Sequence, residues 1–250
     1  MPKRPVFKLF MAYEMLIFGH MKLAFACFFC ALVTAFPARA ADAAGASNAM
    51  STAADSTNEI KEAAPPGDLF TNTVGMELVK VGSFWAGKYE VTQKEYAKVM
   101  GGDPSSFPGD TRPVDSVSWK DAMDFCAKLT AMGLEAKDIP KGFSYALPTE
   151  SEWESLLADA SLKDAVTSQG AKRSGTAPVG SLGPNSLGLY DLRGNVKEFC
   201  LGDTSKPYRV LRGASWQDWI EVNLRPEFRT YCLPNDKQNT YGFRVLLKGP

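Results

Sequence analysis

The chain has 250 residues, of which 45% are hydrophobic and 22% charged, enough for one ordinary domain with a sizeable core and some extra segments. Its 28 basic and 28 acidic residues cancel, but the first 40 residues hold Lys3, Arg4, Lys8, Lys22 and Arg39 against Glu14 alone, leaving 23 bases and 27 acids for the rest. That mildly acidic remainder, with no basic stripe interleaved with aromatics, argues against a nucleic-acid partner.

The N-terminus reads as a secretory signal peptide over residues 1–40. Met21-Lys22 opens a charged region, residues 23–36 form an apolar run too short for a comfortable membrane span, and Ala38-Arg39-Ala40 supplies a small-x-small cleavage pattern. Residues 1–20 read as an over-extended start, with Met21 the initiator. Cys27 comes too soon after Met21, and neither Cys27 nor Cys30 follows the Leu-small-small string of a lipidated cysteine. The expected location is periplasmic or secreted, with no membrane span after cleavage.

Residues 41–66 are rich in Ala, Ser, Thr and Asn and end in Pro65-Pro66, the composition of a flexible tether. A folded domain over 67–250 follows. Thr92-Gln93-Lys94-Glu95 has the spacing of a capping box, with Val91 and Tyr96 placed as a hydrophobic staple and Gly101 as a stop. Ser118-Trp119-Lys120-Asp121 opens a second helix, whose apolar face is Ala122, Phe125, Cys126 and Leu129. Thr149-Glu150-Ser151-Glu152 opens a third, placing Trp153, Leu156 and Leu157 on one side. Strands are expected at 77–81, 208–211 and 241–247, and the glycine-rich stretch 180–202 is expected to be ordered loop. Dispersed helices, short strands and long loops make the expected fold class α+β.

The only histidine, His20, precedes the cleavage site, which removes Ser-His-Asp and Cys-His catalysis and histidine metal sites from the mature chain. Its cysteines would be Cys126, Cys200 and Cys232, an odd number in a compartment that permits disulfides. Cys200–Cys232 is the expected pair and Cys126 a small buried hydrophobe on its helix.

Several strings recur in an order of their own: Lys88-Tyr89-Glu90-Val91-Thr92, Pro113-Val114-Asp115-Ser116-Val117-Ser118-Trp119, Leu147-Pro148-Thr149-Glu150-Ser151-Glu152-Trp153-Glu154, Gly188-Leu189-Tyr190-Asp191-Leu192-Arg193-Gly194-Asn195-Val196-Lys197-Glu198, Arg212-Gly213-Ala214-Ser215-Trp216 and Tyr241-Gly242-Phe243-Arg244. Over residues 74–247 this resembles the formylglycine-generating enzyme family, or sulfatase-modifying factor domain. That resemblance implies a C-type-lectin-like fold with about three helices and much irregular loop. It also implies a calcium loop in which the side chains of Asp191 and Glu198 and the carbonyls of Gly194 and Val196 supply oxygens, a donor set that suits a hard cation. Gly194 is expected to permit the backbone bend. The family's tryptophans flanking Glu198 are Lys197 and Phe199 here, which is expected to loosen the loop. A second calcium site of longer members is expected to be absent, its segment having shrunk to 172–178.

The oxidase members of the family hold copper on two cysteines. The matching positions are Asp218 and Asn223, hard ligands unsuited to copper(I), and Ser215 matches an active-site serine. Copper is therefore not expected, and catalysis is not expected. Arg212 and Arg244 read as internal braces to carboxylates such as Glu90, Glu150 or Glu154. Residues 215–231 mix aromatics with polar groups, the composition of a recognition surface; the resemblance implies a substrate groove there, and a ligand surface in related variable proteins. The candidate binding residues are Ser215, Asp218, Trp219, Asn223, Arg225 and Arg229, with Trp219 exposed and Trp216 buried. The leading expectation is an exported, non-catalytic domain binding a peptide, glycan or protein partner. The alternatives are a formylglycine-generating oxidase acting on sulfatase cysteines and a structural component of cell-surface assemblies.

Overall fold

The computed structural model describes residues 66–169 and 173–250. The expected signal peptide, the tether up to Pro65, and His20, Cys27 and Cys30 lie outside the described residues. The chain forms β1 (Leu69–Thr71), β2 (Glu77–Val81), β3 (Phe84–Gly87), α1 (Gln93–Met100), α2 (Trp119–Ala136), β4 (Ser144–Ala146), α3 (Glu150–Leu157), β5 (Lys197–Phe199), β6 (Arg209–Arg212), β7 (Thr230–Cys232), β8 (Tyr241–Gly242) and β9 (Leu246–Lys248). This is the expected α+β class. Among the described residues no helix is long and apolar enough to cross a membrane.

All three helices begin where the capping boxes place them. Thr92, Ser118 and Thr149 each accept the amide three residues on, from Glu95, Asp121 and Glu152, and each of those side chains takes the cap's own amide in return. Gly101 ends α1 in the left-handed conformation, at φ 84°. The apolar face of α2 is buried as the spacing predicts, with Ala122, Phe125, Cys126 and Leu129 all in the core.

One sheet runs in the order β1-β2-β3-β9-β4 and the other β7-β6-β5-β8. Strand alternation divides the first between two cores. Trp85, Leu247 and Tyr145 lie side by side across β3, β9 and β4 and join the core containing α1 and α2. Their neighbours Ala86 and Leu246 face the other way, into a second core with Trp153, Leu156, Leu189 and Leu192. The segment expected to be one strand over 241–247 is two, one in each sheet. Gly242 allows the crossing, because a Cβ there would lie 2.6 Å from Val196 Cγ2 and 2.7 Å from the Val114 carbonyl.

The Cys200–Cys232 disulfide is not formed; all three described cysteines are free and buried. The sheet order explains this. Cys200 continues β5 and bonds Val210 on β6, while Cys232 on β7 pairs with Arg209 on the far side of β6. Two strand spacings, roughly 9–10 Å, separate them, beyond the reach of a disulfide.

Candidate functional site

The expected calcium loop leaves Leu189, which is buried, and bends at two residues rather than at Gly194. Asp191 and Asn195 both adopt φ 63°, a left-handed conformation that Asp and Asn tolerate. Gly194 is required for a different reason from the one expected. A Cβ there would lie 2.6 Å from the Val166 carbonyl oxygen, so the loop lies directly on that backbone. Asn195 fixes it further, donating to Glu90 at 2.7 Å and accepting the Ala177 amide at 2.9 Å.

Asp191 accepts the Gly180 amide at 2.7 Å through Oδ2. Glu198 is fully committed within the protein. Arg244 donates to Glu198 through Nη2 at 2.8 Å and Nε at 3.2 Å, and Trp153 Nε1 donates at 2.9 Å, with all three side chains buried. Arg244 thus braces Glu198 rather than Glu90, Glu150 or Glu154. Glu90 lies in the same region and accepts the Val196 amide at 2.9 Å. Burial pushes its carboxyl well above the ordinary range, and the nearby charges of Asp191 and Glu198 add to the effect. Burial likewise raises Asp191.

As a calcium donor set, the loop offers Asp191 Oδ1 and the Gly194 and Val196 carbonyls, to which no described group donates. Glu198 would have to share an oxygen with Arg244. Among the described residues no group of three or more His, Cys, Asp or Glu side chains is arranged to hold a metal ion. One of the two departures from the family pattern, Phe199, is well packed. Phe199 is fully buried and meets the Tyr241 ring edge-on at 5.8 Å.

Lys197, the other departure, points to the second site. After β6, Gly213 turns the chain at φ 75°, and Ser215 follows, fully buried. Asp218 folds back on it: Oδ2 accepts the Ser215 amide at 2.9 Å and its hydroxyl at 2.6 Å. Lys197 Nζ lies 3.3 Å from the same oxygen. A single 3-10 turn over Glu221–Leu224 returns the chain, so that Asn223 donates to Asp218 Oδ1 at 3.2 Å. The two positions that the resemblance assigns to the copper cysteines are thus in direct contact. Ser168 closes the floor, its amide bonding the Asp218 carbonyl at 2.9 Å and its hydroxyl the Trp216 carbonyl at 2.8 Å.

This donor set does not fit copper(I). It offers a carboxylate, an amide and a hydroxyl in place of thiolates. Cys232 is buried with its thiol pushed up to about 11 by burial and by Asp236, so it holds its proton.

Of the six candidate binding residues, Ser215, Asp218 and Asn223 form one cluster. Trp219 stands beside it, 67% exposed, with Ile220 and Val222 also exposed. Trp216 is half-buried, its indole nitrogen bonded to the Asn239 carbonyl at 3.0 Å. Arg225 is exposed, 4.0 Å from Glu221. Arg229 turns away from the cluster to α3, bonding Glu150 at 2.5 Å and approaching Glu154 at 3.5 Å. Arg212 meets the same two carboxylates at 2.9 Å each, so the pair of arginines clamps the 225–229 segment to α3. Sequence reasoning missed Lys197 and Ser168 as members of the cluster. The signal for Lys197 was its replacement of a family tryptophan, since a buried acid at 218 needs a nearby cation. Ser168 gave none.

A small α+β domain with three helices, two short sheets and long ordered loops is a formylglycine-generating-enzyme-like fold of the C-type-lectin kind. Residues 47–248 match the Sulfatase-modifying factor enzyme 1-like domain, and the chain belongs to that family. Among curated proteins it is 29% identical to the chaperone protein LppX of Paenibacillus barcinonensis, over 67% of this chain and 81% of that one. It is 32% identical to the inactive C-alpha-formylglycine-generating enzyme 2 of Bos taurus, over 53% of this chain and 49% of that one, and so spans about half of that relative. Among solved structures, the Treponema denticola variable protein 1 superposes with a TM-score of 0.58 at 26% identity, covering 74% of this chain and 93% of that one. PvdO from Pseudomonas aeruginosa shares the fold, with a TM-score of 0.58 at 20% identity and coverage of 74% and 100%.

Proposed function

We propose that this protein is an exported, non-catalytic member of its family that binds a peptide, glycan or protein partner through residues 215–231. The observation that carries the reading is the Asp218–Asn223 contact, which puts hard, mutually satisfied groups where a copper site needs two thiolates. Beside it, Trp219, Ile220 and Val222 expose apolar surface next to Arg225, a combination suited to recognition. The relative named as an inactive enzyme and the one named as a chaperone protein agree with a family that has non-catalytic members. The apolar run and small-x-small pattern before residue 41 support export to the periplasm or beyond.

The same reading includes calcium at the 191–198 loop, held by Asp191 and the Gly194 and Val196 carbonyls with Glu198 shared. The support is charge. Glu90, Asp191 and Glu198 are buried around one guanidinium, that of Arg244, and a divalent cation would offset the surplus acid.

The test has two arms. The copper-loaded protein is incubated with a Cys-x-Pro-x-Arg sulfatase peptide and the product weighed by mass spectrometry, beside a family member that retains both cysteines. The peptide cysteine is expected to stay unchanged here and to become an aldehyde with the relative; aldehyde formation by this protein would end the non-catalytic reading. In the second arm, Trp219→Ala and Arg225→Ala are compared with wild type for retention of partners from the exporting compartment. Loss of a partner with the fold intact is expected. Unchanged retention would favour a structural role through other surfaces.

A further inference from the structure

A cleft that shares no residue with the Ser215–Asp218–Asn223 cluster lies beside Trp216. It is an open cleft of about 570 Å³ between two loops, one including Ser106, Phe107 and Arg112, the other Arg173, Gly175 and Thr176. Phe107 fixes their relation. Its ring meets the Trp216 ring edge-on at 5.2 Å, and a Cβ on Gly175 would lie 2.7 Å from it, so the second loop packs directly onto the ring.

The cleft carries positive charge without the acid to match. Arg112 makes no described ion pair, and no described group accepts a hydrogen bond from its guanidinium. Its methylenes pack over Gly109, where a Cβ would lie 3.0 Å from Arg112 Cδ. Arg173 donates through Nε to the Thr167 carbonyl at 3.0 Å, which leaves both terminal nitrogens without a described acceptor. Asp115 is hydrogen-bonded to Ser106 and Ser116 and pairs with neither arginine.

Two arginines that line one cleft, with Phe107, Pro108 and Pro178 among its walls, suit a doubly charged oxyanion. The planar forks bond oxygens in pairs, and neither side chain is offset by a described acid. We infer that the cleft between residues 106–112 and 173–178 binds a phosphate or sulfate group, with Arg112 and Arg173 as its charge partners. The site is independent of the reading given for residues 215–231, because it shares no residue with that surface.

The test titrates the full-length protein with inorganic phosphate, inorganic sulfate and acetate, followed by calorimetry. Saturable binding of phosphate or sulfate is expected, with acetate at least tenfold weaker because it carries one charge. The ratio of phosphate to sulfate shows which of the two the cleft takes. Arg112→Gln and Arg173→Gln are each expected to weaken binding about tenfold or more, and the double variant to abolish it, each loss being that of a charge-assisted contact. Both side chains are partly exposed, and circular dichroism confirms that the variants fold. Absence of saturable binding by wild type, or equal affinity in the double arginine variant, would overturn the inference.

Discussion

Asp115 is buried to the last ångström of its surface, and one of its oxygens, Oδ2, has no described hydrogen-bond partner. The other accepts the Ser106 amide and the Ser116 hydroxyl at 2.8 Å each. Burial raises its pKa despite those bonds. The folded protein therefore binds this proton more tightly than the unfolded chain does. Its contribution to stability is undiminished below the unfolded value of 3.8, and is lost as pH rises through the raised folded value. Asp115→Asn removes the titrating group, so urea midpoints of the variant at pH 4 and pH 7 are expected to differ less in the destabilising direction than those of wild type. Equal pH dependence in both proteins would show that Asp115 titrates normally. Glu198, also buried, has both oxygens met by three donor groups, two of them on one arginine.

At the scale of elements, the helices are the most legible part of the chain, because a capping box is a local device. Each of the three uses a side chain and an amide three residues apart, and distant contacts are not needed to complete it. Thr149→Ala is expected to cost about 1 kcal/mol of stability in urea unfolding, the usual worth of an N-cap. The effect should reach beyond α3, since this helix presents Trp153 to Glu198 and Glu150 and Glu154 to Arg212 and Arg229. Faster amide exchange over residues 225–229 in the variant is the expected sign, and exchange confined to α3 would show that the arginine clamp does not depend on the cap. The short strands were less legible. β5 lies inside the glycine-rich stretch expected to be loop, and it is ordered by pairing with β6 and β8 rather than by any periodicity in its three residues.

For the whole molecule, the acids near Arg244 and the large share of loop make bound calcium the expected source of added stability. Millimolar calcium should raise the thermal midpoint and a chelator should lower it; at a hundred times the dissociation constant the gain is about 2.7 kcal/mol. Asp191→Ala should remove the response. Indifference of wild type to both calcium and chelator would leave Arg244 as the loop's sole cationic support.

The sequence by itself determined the family and the three helices with their caps, since each is written in residue identities at short, fixed spacings. The tertiary structure decided what depends on packing between distant segments. It kept Cys200 and Cys232 two strands apart, placed Gly194 against Val166 rather than at a bend, and gave Glu198 to Arg244. It also brought Lys197 to Asp218, and Arg112 and Arg173 to one cleft. The physical reason is that charge pairing and close backbone approach are set by where the loops lie in three dimensions, and no local pattern in a loop-rich chain encodes that.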